Sequence, residues 1–436
     1  MALLKYREAE PQKLAERDAA LGRYDAADLR RLIIELQDSL SWRITAPLRF
    51  VARPLFRVVA PKTILPTERG LQQGGGLATK GAEAQHDSAT TATSSSDAVT
   101  GPTLRAVCDW YHVDPKFAHA ALETFVGADY DRGIGDIHKL LARYEIFRIQ
   151  LDYTFTTNTR GQTLVKQLRE WGVPLEGAGP PRKTYLDVGF AYGGFLAAFA
   201  SLGYDVSGIE ISEKFGRLGR LNLESSGYSA DTRIGDFLSD EMITGERKFD
   251  LITCSDVIEH VMDPEACLRK ICRLLKPGGI AYVAYPTKLS IPYVRADGHS
   301  QLFGLTLLDY FRARAAFIQY SDWPEYEVSD FYEPEWYLNT ARLAGVNAEL
   351  VYDDLMPPPD IPGEIAKLYE AFSEWSRSGS RKLDPLMRHE ITRELAKYSA
   401  RMFQAYSEHV AHNSLDQFAR TWIDTLTRIL IRKPSA

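Results

Sequence analysis

No stretch of eighteen consecutive apolar residues occurs in the chain, so the sequence offers no membrane-spanning helix. The opening MALLKYREAEPQKLAERDAA has no apolar core of the kind a secretory leader needs, and no leader is expected. Cysteine is scarce: Cys108, Cys254, Cys267 and Cys272 are too few for a disulfide framework in 436 residues. Three of them fall in or beside apolar segments, which suits buried thiols in a reducing, cytoplasmic compartment. Positive charge is not in excess, with 52 Lys and Arg against 58 Asp and Glu; that balance argues against a nucleic-acid partner. There is no internal repeat. Also missing are a Gly-rich loop ending in Lys-Ser or Lys-Thr and a Gly-x-Ser-x-Gly elbow, and HEITR (389–393) lacks the second histidine of a zinc protease motif.

What is present changes character along the chain. Residues 1–67 read as a charged helical arm ending in SWRITAPLRFVARPLFRVVAPK (41–62), which holds Arg43, Arg49, Arg53, Arg57 and Lys62 and no acidic residue. Trp42, Leu48, Phe50, Leu55 and Phe56 add an apolar side, so this segment suits contact with the inner face of a membrane or with a protein partner. Residues 68–102, dominated by Gly, Ala, Ser and Thr, cannot bury enough surface to order themselves and read as a flexible linker. Residues 103–182 read as a helical lead-in or substrate-cap region. Residues 183–355 alternate short β-branched runs with helical patterns, and 356–436 read as helical to the end.

The alternating block carries most of the information. TYLDVG (184–189), DVSGIEI (205–211), FDLITCSD (249–256) and IAYVAYP (280–286) are apolar runs of strand length, with a further one at VNAELVYDD (346–354). Between them, GGFLAAFASLG (193–203), EKFGRLGRLNLESSG (213–227) and DPEACLRKICRLLKPGG (263–279) have helical character. Such alternation predicts an α/β fold: a Rossmann-like, doubly wound, mostly parallel sheet with helical N- and C-terminal additions. Ligands in such sheets sit outside the carboxyl ends of the strands.

At the first of those ends stands LDVGFAYGGFL (186–196). Glycine lets a backbone turn sharply or approach a ligand closely, so Gly189, Gly193 and Gly194 are expected to clear room for a cofactor beside Phe190 and Ala191. The amides opening the next helix are expected to face the crevice. Asp187 is placed to brace the loop or to accept a ligand amino group. Glu210, 21 residues after Gly189, ends the second strand beside Ile211, where a carboxylate accepts the two hydroxyls of an adenosine ribose. Asp236, in GDF (235–237), is placed to accept from an adenine amine, and Phe237 to lie against the purine. A nicotinamide dinucleotide and S-adenosylmethionine share this ribose geometry, and the glycine turn alone does not separate them.

FDLITCSDVIEHVMDP (249–264) and LLKPGGIAYVAYP (274–286) complete a series that resembles the class I S-adenosylmethionine-dependent methyltransferases, in the branch with ubiquinone-biosynthesis-like and related small-molecule enzymes. The resemblance spans about 183–286 and continues more weakly to about 354 through WYLNTARLAGVNAEL. It implies that Asp187, Gly189, Phe190 and Gly193 surround the methionine part of S-adenosyl-L-methionine, and that Glu210 and Ile211 meet its nucleoside. It further implies that Asp236 and Phe237 meet adenine and that Ser255, Asp256 and the following IEHV line the methyl-transfer site. The family has glycine where this chain has Ala191, and often a small residue where it has Phe190.

Methyl transfer to a hydroxyl gains from a general base, and His299, His260 and Asp256 are the candidates, with Glu259 beside them. Asp256 and Asp263 do not form a clustered set of oxygen ligands, so no metal is expected. Aromatics crowd 287–334, an insertion after the fifth strand, where they either stack on an acceptor or build a core. SWRITAPLR is similar to a stretch beside glycosyltransferase and methyltransferase modules of bacterial surface-polysaccharide assembly proteins, which brings nucleotide- or lipid-linked saccharides forward as acceptors. The expected activity is O-methylation of a saccharide or another small polar metabolite. The rivals are a NAD-dependent oxidoreductase and a non-catalytic scaffold on the same fold.

Overall fold

The computed structural model describes residues 101–239, 247–321, 326–329, 331–353 and 359–435. The arm, segment 41–62 and the linker lie outside the described residues. Those that are described divide into two units, with the boundary between Leu151 and Asp152. The first holds helices Pro102–Tyr111, Pro115–Phe125 and Ile137–Arg143. Asp114 and Asp136 cap the latter two by accepting from Lys116 N and Lys139 N. Leu104, Val107, Phe117, Leu122 and Leu140 are buried within it.

The second unit contains a seven-stranded sheet. Its strands are β1 (Thr184–Val188), β2 (Asp205–Glu210), β3 (Asp231–Ile234), β4 (Phe249–Ser255), β5 (Leu275–Pro286), β6 (Asn347–Val351) and β7 (Leu426–Arg432). The spatial order is β3-β2-β1-β4-β5-β7-β6. Neighbours from β3 across to β5 pair parallel, while β7 runs antiparallel to both β5 and β6. Helices cover both faces, so central strands read as unbroken apolar runs; Leu186, Val188, Ile252 and Cys254 fill one core and Tyr185, Leu251 and Tyr282 another. Strand order reverses between β1 and β4, so a crevice opens at their carboxyl ends. Asp187, Glu210 and Ser255 stand at those ends.

Three expectations need correction. The helix read over 263–279 ends at Leu274, and Leu275 to Gly279 already belong to β5, because Pro277 donates no amide to a helical ladder. The region 356–436 is not helical throughout: LTRILIR near the chain's end is β7, and Ile429 and Ile431 are buried on one face with Leu430 on the other. A strand pattern of seven residues right after an amphipathic helix is easily absorbed into it. The lead-in read over 103–182 is not one piece, since everything from Asp152 onward belongs with the sheet.

The aromatics of 287–334 build a core. Phe303, Phe317, Tyr320, Tyr326 and Phe331 pack with Leu368, Trp375, Ile391, Tyr398 and Phe418 from helices Ile361–Arg377, Pro385–Ala411 and Leu415–Trp422. Phe303 meets Trp375 with ring centroids 5.3 Å apart. Trp323 lies outside the described residues. Cys254, Cys267 and Cys272 are buried and free, and among the described residues no helix is long and apolar enough to cross a membrane.

Helix Thr157–Glu170 lies against helix Gly194–Ser201 at glycine-only distance. A Cβ on Gly161 would stand 2.3 Å from the Gly194 carbonyl oxygen, and one on Gly194 would stand 2.0 Å from that of Thr157. Backbone cannot give way as a side chain does, so Gly161→Ala is expected to destabilise the protein by about 1–3 kcal/mol. The measurement is the urea midpoint; an unshifted midpoint would mean that the helices do not meet so closely.

Candidate active site

The turn after β1 is built by left-handed residues. Gly189 has φ +77° and Gly193 φ +74°, and Ala191, despite its methyl group, sits at φ +40°. That costs a non-glycine residue about 1–2 kcal/mol. Part of the compensation is direct, because the Ala191 amide donates to Glu210 Oε2 at 2.9 Å.

The glycines are also demanded by the protein's own packing, while Gly189 lines the cleft described below. A Cβ on Gly189 would meet Val257, one on Gly193 would stand 2.6 Å from the Gly219 carbonyl oxygen, and Gly194 presses on Thr157. Phe190 turns its ring into a slot where Cβ atoms on Gly208, Gly216 or Gly219 would collide with it or crowd it. The two glycines in helix Glu213–Ser225 therefore mark where that helix receives Phe190 and the turn. The amide of Gly194 does not face the crevice; it donates to Thr157 Oγ1 at 3.2 Å. A pyrophosphate would need that helix entry open, and the amide of Gly194 is not available to it.

A cleft is lined by Tyr153, Arg160, Asp187, Gly189, Ala191 and Ser255, with Phe190 and Tyr192 among its other walls. Asp187 is buried and accepts from Thr253 Oγ1 at 2.6 Å. Burial pushes its carboxyl up to about 7; the Thr253 hydrogen bond pulls the other way, Glu210 pushes further up and Arg160 holds it down. Burial likewise raises the Glu210 carboxyl, opposed by the amides of Ser212 and Ala191, which donate at 2.8 and 2.9 Å. The Arg160 guanidinium lies 3.5 Å from the centre of the Tyr153 ring and donates from Nη2 to the Tyr153 carbonyl at 2.9 Å. Its Nε is buried with no hydrogen-bond partner among the described residues. Tyr153, Thr157 and Arg160 precede the recognisable block, and no motif in the sequence signals them.

The remaining expected residues divide. Gly193, Glu210, Ile211, Asp236 and Phe237 do not line this cleft. Glu210 nonetheless holds the Ala191 amide that does, and Ile211 is an exposed apolar side chain, 40% accessible, beside it. Asp236 is exposed and accepts from Leu238 N at 2.9 Å, which closes a turn. Phe237 is in the core beside Ile209 and Ile258, with Lys270 Nζ 5.2 Å from its ring centre; burial there corrects its expected place on a purine. At the end of β4, Asp256 has φ +54° and accepts from Tyr153 Oη at 3.1 Å.

His260 and His299 stand edge to face, centroids 4.8 Å apart. Burial, then His299, lowers the His260 imidazole to about 3. Burial also pulls His299 down, but Asp297, 3.5 Å from Nδ1, outweighs it and the group is raised to about 9. The two facing imidazoles are thus shifted in opposite directions, His260 by burial and His299 by Asp297. Between them is Glu259, buried, its carboxyl raised to about 8 by burial and by Asp256 and held down by His299. Convergence of these three groups was not expected from the sequence; the signal available for it was the Glu-His pair in IEHV.

The sequence model of a family described as a methyltransferase domain matches residues 162–345. A ubiquinone biosynthesis O-methyltransferase of Thiobacillus denitrificans is 36% identical over 114 residues, 26% of this chain and 49% of the relative. One from Pseudomonas paraeruginosa is 37% identical over 111 residues, 25% of this chain and 47% of the relative. The chain thus spans about half the length of the curated relatives it matches. A SAM-dependent methyltransferase from Archaeoglobus fulgidus is similar in structure with a TM-score of 0.35 and 12% identity, over 63% of this chain and 94% of that one; the fold assignment rests on the strand order and not on this likeness. By that order and the matched model, residues 162–345 form a methyltransferase domain of the class I, S-adenosylmethionine-dependent kind.

Proposed function

We propose that this protein methylates a hydroxyl oxygen of a small polar acceptor. The observation that carries the reading is the pairing of a buried carboxylate, Asp187, with an under-bonded guanidinium, Arg160, along one cleft. The amino-acid end of the cofactor carries an ammonium and a carboxylate, and these two side chains complement them. Glu210, pinned by two backbone amides, is oriented to accept ribose hydroxyls with its remaining lone pairs. Ile211 supplies exposed apolar surface for the adenine. When bound, S-adenosyl-L-methionine offers a methyl group on a sulfonium to a nucleophile aligned with the breaking bond. Ser255 and Asp256, the latter held by Tyr153, form the end of β4 that faces the reacting side.

Oxygen as the acceptor atom is supported by the name the curated relatives carry over the aligned stretch. The narrower saccharide reading draws on residues 41–62. It gains nothing from the aromatics of 287–334, which serve as a core. Screening sugar nucleotides against dihydroxyaromatics for S-adenosylhomocysteine release separates the acceptor classes.

Two outcomes are expected for cofactor binding by calorimetry. Arg160→Ala and Glu210→Ala should each weaken S-adenosyl-L-methionine binding about 10- to 100-fold, as loss of a charged hydrogen-bond partner does; a folded wild-type chain that binds no cofactor sinks the proposal. Affinity should also depend on pH. Asp187 is held up to about 7, so it is neutral below that pH and must ionise to meet an ammonium. Binding at about pH 6 should be up to about tenfold weaker than at about pH 7.5, and Asp187→Asn should flatten the profile. A flat wild-type profile would contradict the assignment of the ammonium to Asp187.

A further inference from the structure

We propose that Tyr153 is a positioning residue: its hydroxyl, tied to Asp256 at the end of β4, holds the Arg160 guanidinium in place along the cleft. The contacts are built where two helices, Arg148–Phe155 and Thr157–Glu170, meet at Thr156. The last carbonyls of a helix have no partner within it. Here Thr156 Oγ1 donates to the Asp152 carbonyl at 2.6 Å, and Arg160 Nη2 reaches back to the Tyr153 carbonyl at 2.9 Å. A cation at a helix C-terminus is favourable, so the guanidinium is drawn to the Tyr153 main chain.

The Tyr153 side chain then gives that guanidinium a floor. The ring centre lies 3.5 Å from it, a cation–π contact. The Tyr192 ring, from the turn after β1, stands steeply inclined to the Tyr153 ring, with centroids 6.1 Å apart. Tyr153 is 39% exposed, so packing alone does not fix its rotamer. Its hydroxyl does, by donating to Asp256 Oδ2 at 3.1 Å.

Asp256 is the fixed end of this chain of contacts. Its amide donates to the Ala284 carbonyl of β5 at 3.0 Å. Its backbone is held at φ +54°, a conformation that persists only where the surroundings impose it. Asp256 does not line the cleft; it reaches the cleft through Tyr153. At the other end, Arg160 Nε is buried with no hydrogen-bond partner among the described residues, so the guanidinium keeps donor capacity for a ligand carboxylate.

On the cofactor reading, on which this role rests though the contacts do not, Arg160 meets the carboxylate of S-adenosyl-L-methionine while Asp256 faces the reacting side. One phenol then links the two sites. A ligand that takes the Asp256 carboxylate from Tyr153 loosens Arg160, and the linkage runs equally in reverse.

The test is a mutant cycle on S-adenosyl-L-methionine affinity, by calorimetry on the full chain. Tyr153→Phe keeps the ring and removes only the hydroxyl; Asp256→Ala removes its partner. Each should weaken binding about three- to tenfold, and the double variant should be no weaker than the weaker single one. Asp256→Asn keeps an oxygen for the hydroxyl to donate to and should recover most of the loss. In an Arg160→Ala background, Tyr153→Phe should change affinity less than about twofold. If Asp256→Ala does not fold, Tyr153→Phe with and without Arg160→Ala decides. An effect that persists in full without Arg160, or a Tyr153→Phe chain that binds as the wild type does, overturns the proposal. A second readout needs no cofactor: solvent exchange of the Arg160 Nε–H, followed by NMR on arginine-labelled chain and assigned with Arg160→Ala. It should speed up about threefold or more in Tyr153→Phe, and unchanged exchange contradicts the proposal. A wild type that binds no cofactor sinks the cofactor reading, and the exchange measurement then decides the positioning by itself.

Discussion

Backbone presses on backbone around the turn that follows β1. Thr157 bears on Gly194 from one side and Gly219 bears on Gly193 from the other, at distances where no Cβ fits. This contact brings helix Thr157–Glu170 close enough to set Arg160 and Tyr153 along the cleft that Asp187 lines. It also fixes the main-chain path that offers the Ala191 amide to Glu210. A larger residue at any of these points would push apart the elements that define the cleft, even where it touches no ligand.

Electrostatics then sets what the cleft accepts. Asp187 and Glu210 are both buried and each is raised by that burial. Two carboxylates held in a poorly solvated place attract a positively charged partner, and a guanidinium next to them supplies a counter-site for a negative one. A zwitterion attached to a ribose fits that pattern, and the Gly194 amide that a pyrophosphate would use is taken by Thr157.

Much of this was legible in the sequence where the cause is local. Strand ends fall where apolar runs stop, so Asp187, Glu210 and Ser255 could be placed from spacing alone, and the parallel part of the sheet followed from alternation. Contacts between distant segments were not legible. Tyr153 and Arg160 belong to two consecutive helices with no motif, Arg148–Phe155 and Thr157–Glu170, and β7 returns from the far end of the chain to pair between β5 and β6. The glycines were found, but not the packing that also demands them: they admit Thr157, Gly219 and the Phe190 ring. Phe237 read as a purine platform because an aromatic beside an acidic residue looks the same in sequence whether buried or open. His260 and His299 read as bases, and neither the position of Asp297 beside His299 nor the depth of Glu259 between them was legible.

The most direct test of the central claim is a crystal structure of the full chain with S-adenosylhomocysteine. The account predicts the ligand ammonium at Asp187, its carboxylate at Arg160 and both ribose hydroxyls on Glu210, with the Gly194 amide still on Thr157. A ligand whose amino-acid end lies away from Asp187 and Arg160, or whose ribose does not reach Glu210, would contradict it.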